Sequence, residues 1–159
     1  MTRSRLVVLL SFCLIGLTPR AAKADVTVFL GTTTTPTNRA VKGFAGGIGL
    51  VIVGFEFEYA STSEDPDSLA PSLKTTSGNV YAQTIGLPFQ LYLTTGTGFY
   101  RERLGEAHET SFLFNNGGGV KIRLAGPLKA RVDYRIFNLR GNPRHSTVQR
   151  LYAGFNLSF

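Results

Sequence analysis

The 159-residue chain has no tryptophan, one cysteine, one methionine and two histidines. Charged residues make up only 17% of it, against ~25% in ordinary soluble domains, which argues against a helical bundle coated in charge. A lone Cys13 excludes a disulfide scaffold and a thiolate metal site. The longest uncharged apolar run spans only Leu6 to Leu17, short of the ~18 residues a membrane-crossing helix requires. Chemical signatures are equally scarce. His108-Glu109 has no second histidine four residues after the first, and neither a GxGxxG nor a GxSxG sequence occurs. We therefore expect no catalytic residues, no metal site, no cofactor and no enzymatic activity.

What is present begins with a leader. Arg3 and Arg5 give a basic start, Leu6 to Leu17 an apolar core, and Ala22-Lys23-Ala24 a small-x-small cleavage pattern. This is the layout of a secretory signal peptide over residues 1–24. Cys13 lies inside the apolar core and leaves with it. Cleavage would take four of the 17 basic residues and none of the 10 acids. The remaining domain, residues 25–159, then carries a net charge near +3, too small a footprint for nucleic-acid binding.

Along that domain the hydrophobic period is two. Leu128, Ala130, Val132, Tyr134 and Ile136 alternate with Lys129, Arg131, Asp133 and Arg135, giving a strand one apolar and one charged face. Val53 to Ala60, Phe89 to Tyr100, Val120 to Leu124 and Leu151 to Phe159 repeat the pattern. Val26 to Thr32, Gly43 to Val51 and Ser77 to Gly86 complete eight strands; the faces of the last are unassigned. Long connections are expected at 33–42, 61–76, 103–109 and 139–147. They alternate with tight turns near 50–52, 87–88 and 125–127. Long loops at one end and short turns at the other are the plan of outer-membrane barrels.

Three features place the polar face inside. Gly54, Gly96, Gly98, Gly117, Gly119 and Gly154 all fall on it, as a narrow eight-stranded interior requires. Aromatic residues gather near both strand ends: Tyr59, Phe99, Phe112, Phe114 and Phe137 toward the long loops, Phe55, Phe89 and Phe159 toward the turns. Finally, eight strands of ~9–11 residues cross a bilayer and still leave chain for the connections. The fold expected is an all-β, eight-stranded, antiparallel, up-and-down transmembrane barrel. A soluble lipocalin-like barrel would need the opposite polarity.

The segment Tyr152-Ala153-Gly154-Phe155-Asn156-Leu157-Ser158-Phe159 and the run Gly117-Gly118-Gly119-Val120-Lys121 with its Ala-Gly-Pro turn carry a family likeness. On them the chain resembles the small outer-membrane β-barrel proteins of diderm bacteria, the OmpA- and OmpX-like class. The resemblance implies that Tyr152, Gly154, Leu157 and Phe159 form a last-strand signal read by the barrel-assembly machinery. It also implies localisation in the bacterial outer membrane, with membrane lipid and lipopolysaccharide as partners. Some barrels of this class are lipid A deacylases with a His and a Ser two apart; His145 and Ser146 are adjacent and would face opposite ways. A monomer is expected.

Charges inside a narrow barrel are costly unless paired. The expected lumen network joins Lys121, Arg123, Lys129, Arg131 and Arg135 to Glu56, Glu58, Glu102 and Asp133. Such a network would plug the lumen; the alternatives are a narrow porin-like conduit for small solutes and, after it, a lipid A-modifying enzyme. Arg140, Arg144 and His145 are candidates for contact with lipopolysaccharide phosphates. The function expected is structural, or surface contact through the loops.

Overall fold

The computed structural model describes residues 22–85 and 87–159; the leader ahead of Ala22 lies outside them. Eight strands follow in order: β1 (Lys23–Thr33), β2 (Arg39–Leu50), β3 (Val53–Thr62), β4 (Ser72–Gln83), β5 (Phe89–Leu104), β6 (Ala107–Ala125), β7 (Leu128–Leu139) and β8 (Thr147–Ser158). Each pairs antiparallel with its neighbours, and β1 closes on β8 to complete a barrel without free edges. Among the described residues no helix is long and apolar enough to cross a membrane. β1 begins at Lys23, within the segment assigned to the leader, and pairs Lys23 with Gly49 and Ala24 with Ile48.

The period of two becomes two opposed surfaces. Phe57, Val132 and Leu157 are 49%, 41% and 46% exposed, whereas Glu58 and Arg131 retain only 2% and 3%. The barrel is thus inverted relative to a soluble one. The glycines read as inward do face inward, and at Gly154 the reason is steric. A Cβ there would stand 2.8 Å from that of Phe29 on the neighbouring strand.

Several expectations need correction. Strand β4 starts at Ser72 rather than Ser77, and it turns Leu73, Thr75, Ser77, Asn79 and Tyr81 inward, which settles its faces. The connection ahead of it shrinks to residues 63–71. The loop expected at 103–109 does not exist. β5 and β6 run on as one tall hairpin, with Leu104 paired to Ala107. Gly105 takes a left-handed φ of 59° there, a conformation glycine adopts without a Cβ penalty. Phe137 is not part of an outer aromatic band. It shares the register of Arg135 and is fully buried inside.

The interior also holds something the polar-face reading missed. Toward the loops, Val41, Leu73, Leu113, Leu139 and Val148 turn inward and are buried with Tyr100 and Phe137. They form an apolar stopper above the charged lumen. Tyr100 donates its hydroxyl to the backbone oxygen of Arg140 at 2.6 Å, tying the stopper to the last loop.

Candidate functional site: the ionic lumen

Strands β3 and β7 face each other across the barrel and supply most of the charge. Alternation on β7 brings Arg131, Asp133 and Arg135 to the axis; on β3 it brings Glu56 and Glu58. Arg131 grips Glu56 with both terminal nitrogens, the Nη2–Oε1 contact being 3.0 Å. It also bonds Asp133 through Nε at 2.7 Å and Nη2 at 3.0 Å. Arg135 reaches Glu56 at 2.9 Å, Glu58 at 3.2 Å and Asp133 at 3.5 Å. Bidentate and shared contacts of this kind are the strong form of a buried ion pair.

Hydroxyls and amides complete the network. Tyr92 donates to Asp133 and accepts from Arg131 Nε at 2.7 Å. Tyr152 donates to Glu58 at 3.2 Å. Asn115 accepts from Arg135 at 3.3 Å and donates to Asn79 at 2.8 Å. Toward the turns, Lys121 pairs with Asp25 at 2.9 Å and lies over the rings of Tyr81 and Tyr92. Cation–ring contacts add to the pairing where water is excluded.

The expected network residues therefore divide. Glu56, Glu58, Lys121, Arg131, Asp133 and Arg135 are brought together. Lys129 stands at the margin, half-buried, and donates to Gln90 at 3.0 Å rather than to an acid. Arg123 is corrected: it is exposed at the turn end, where the β6–β7 register shifts between Arg123 and Ala125. Glu102 is buried but far from the network. It accepts the backbone N–H of Arg144 at 3.2 Å, beyond the stopper. Strand length explains this, since β5 and β6 continue well past the charged layer.

Two participants were not foreseen. Asp25, read as the first residue after cleavage, is the counter-ion of Lys121. Arg150 is fully buried, donates to Thr75 at 2.7 Å and lies over the Phe137 ring at 4.7 Å. Alternation on β8 from Tyr152 back to Arg150 was the available signal. With both included, four buried cations (Lys121, Arg131, Arg135, Arg150) stand against four acids grouped with them (Asp25, Glu56, Glu58, Asp133), Glu102 being a fifth buried acid set apart beyond the stopper. Each of these four carboxylates accepts from at least one donor and so serves as a counter-charge.

The remaining candidates occupy the two ends of the barrel. In β8, Tyr152 and Gly154 face inward and Leu157 is exposed, as is Phe159 just past the strand. His145 lines a small void with Arg39 and Glu102 under the first and last loops, and Ser146 beside it is exposed. Arg140 is exposed with its guanidinium 5.8 Å from the Phe114 ring; Arg144 is exposed. Among the described residues there is no cluster of three or more His, Cys, Asp or Glu able to hold a metal ion.

Comparison with known proteins agrees on architecture. The chain matches no protein-family model and no curated protein. Among solved structures it is similar to the N-terminal β-barrel domain of Pseudomonas aeruginosa OprF (TM-score 0.66, 13% identity, 87% of this chain and 100% of that one). Neisserial surface protein A aligns with TM-score 0.66 at 16% identity over 87% of this chain and 96% of that one. The outer membrane enzyme PagL aligns with TM-score 0.54 at 13% identity over 84% and 98%. These likenesses establish the small eight-stranded barrel fold, and one of the three proteins is named as an enzyme, so the fold alone assigns no role.

Proposed function

We propose that this chain is an integral barrel of the bacterial outer membrane, exported by its leader. Its lumen is plugged, and it acts as a structural or surface-contact element through the loop end. The supporting observation is the inversion of the barrel: an apolar wall outside, a neutralised ionic layer inside. In water such a wall would be an aggregation surface; in hydrocarbon it is the only stable arrangement for a closed sheet.

Surface contact is favoured over conduction by two features. The lumen is blocked twice, by the Arg131–Glu56 strut and by the apolar stopper. The loop end is also held in shape. Arg39 donates to the backbone oxygens of Thr35, Ser63 and Pro71, knitting the first loop to the second. Glu64 accepts the backbone N–H of Gly105 at 2.7 Å, tying the second loop to the tall hairpin. A preorganised surface binds with less ordering cost than a floppy one. No reaction is assigned, and assembly is assigned to the last-strand signal Tyr152, Gly154, Leu157 and Phe159.

The test is gel mobility of the purified protein in mild detergent. A folded membrane barrel migrates differently before and after boiling and inserts into lipid vesicles. A protein that stays soluble without detergent and shows one mobility would overturn the reading.

A further inference from the structure

Charge is segregated by sign across the barrel wall. Every acid on a strand has the inward register. The outward charges on strands are Lys42, Lys74, Arg101 and Arg103, all on the loop half of β2, β4 and β5. Among the described residues neither Lys42 nor Lys74 forms an ion pair.

Pairing sets these cations beside a specific relief. Lys74 lies opposite Ser61, Ser61 opposite Lys42, Lys42 opposite Leu30, Leu30 opposite Ala153, and Ala153 opposite Val132. At ~4.8 Å per strand this row covers about 24 Å of the wall. Strand tilt makes it oblique. Lys74 and Ser61 stand at the loop ends of their strands, whereas Val132 is mid-strand. A groove of about 840 Å³ follows the row, deepened at Ala153 and walled by Phe44 and Phe155. Its upper end is cationic with a hydroxyl; its lower end is apolar.

We propose that this groove binds one anionic, phosphate-bearing lipid of the leaflet on the loop side. Lys42, Lys74 and the Ser61 hydroxyl take the phosphate, and an acyl chain lies along Leu30, Ala153 and Val132. Charge-assisted bonds to phosphate oxygens suit the two lysines. The absence of any outward acid on the strands removes the repulsion that such a headgroup would otherwise meet. The volume falls within the ~300–1,000 Å³ of ordinary ligand sites. The inference rests on the membrane reading above and goes beyond it by naming a site and a lipid chemistry.

The experiment uses the folded barrel in phosphatidylcholine nanodiscs. It is titrated with bis-phosphorylated lipid A, with dephosphorylated lipid A, and with glucosamine 1-phosphate, which has no acyl chains. Retained lipid is read by native mass spectrometry. The phosphorylated lipid is expected to bind in preference to both others. The Lys42→Ala/Lys74→Ala pair should weaken it about thirtyfold, Ala153→Phe should separately weaken it, and Arg123→Ala at the turn end should not. If Ala153→Phe abolishes the boiling-dependent mobility shift, Ala153→Leu replaces it. Equal retention of the two lipid A forms, or unchanged retention by the lysine variant, would overturn the site. So would loss on lysine removal with none on filling at Ala153, because that pattern describes headgroup adsorption. A dimer abolished by Ala153→Phe, with lipid retention intact, would give the groove to a second copy instead. Since each arm requires nanodisc insertion and the mobility shift, failure of the site is distinguishable from failure of the membrane reading.

Discussion

Arg131 on β7 and Glu56 on β3 are 75 residues apart and span the barrel from opposite walls, joined by two hydrogen bonds in the interior. Pairing along the sheet fixes only neighbouring strands; this contact fixes the cross-section.

The strut should therefore be costly to break from one side. Glu56→Gln leaves Arg131 and Arg135 with one fewer counter-charge, and removal of one partner of a buried pair costs about 3–5 kcal/mol. The double variant Glu56→Gln/Glu58→Gln should lose more. The readout is the temperature at which the unboiled band converts to the boiled position. A double variant that converts at the wild-type temperature would remove the network from any role in stability. Combining Glu56→Gln with Arg131→Met should recover part of the loss, because the pair then leaves together.

Conduction gives a second expectation. Planar bilayers carrying the wild-type barrel should show no steady conductance. Opening should require thinning both obstructions: Arg131→Ala with Leu113→Ala and Tyr100→Ala should conduct, and either set alone should not. Steady wild-type currents would favour the conduit.

Gly154 within β8 and Phe159 just past its end should fail differently. A side chain at Gly154 collides with the β1 backbone and Phe29, so Gly154→Val should impair refolding from urea into detergent, with no cellular machinery present. Phe159 is 71% exposed at the strand end. Phe159→Ala should refold normally in vitro yet lower the amount assembled in cells. Equal behaviour of the two in both assays would refute that division.

A pH effect is expected in the second loop. Ser68 Oγ donates to Asp65, whose backbone exchanges two 2.9 Å hydrogen bonds with Ala70. The Ser68 hydrogen bond is the main cause holding the Asp65 carboxyl below its usual value. A depressed carboxylate value stabilises the loop above the unfolded value, and this is lost as pH falls through the folded one. Amide exchange of residues 67–70 should therefore accelerate under acid, after correction for intrinsic rates, and Asp65→Asn should show the faster exchange already at neutral pH. PH-independent protection would contradict it.

Much of this was legible in the chain. Alternation at Leu128–Ile136 and Val53–Ala60 gave strands, faces and the inward set Arg131, Asp133, Arg135, Glu56 and Glu58, because a period of two is local geometry. The inward glycines followed from the same parity. What alternation cannot say is where a strand stops or what stands opposite. β5 and β6 extend far beyond their clearest windows because each satisfies the other's backbone, so the loop expected at 103–109 became a tight turn. Arg123 left the network because it stands at the turn end of β6, in regular register with Lys129 but exposed at the rim. Asp25 and Arg150 entered because closure of β1 on β8 brought the chain ends beside the middle. The sequence by itself determined which side chains share a face. Only the closed barrel decided which faces meet across the axis, since those distances depend on strand number, register and closure rather than on any neighbour in the chain.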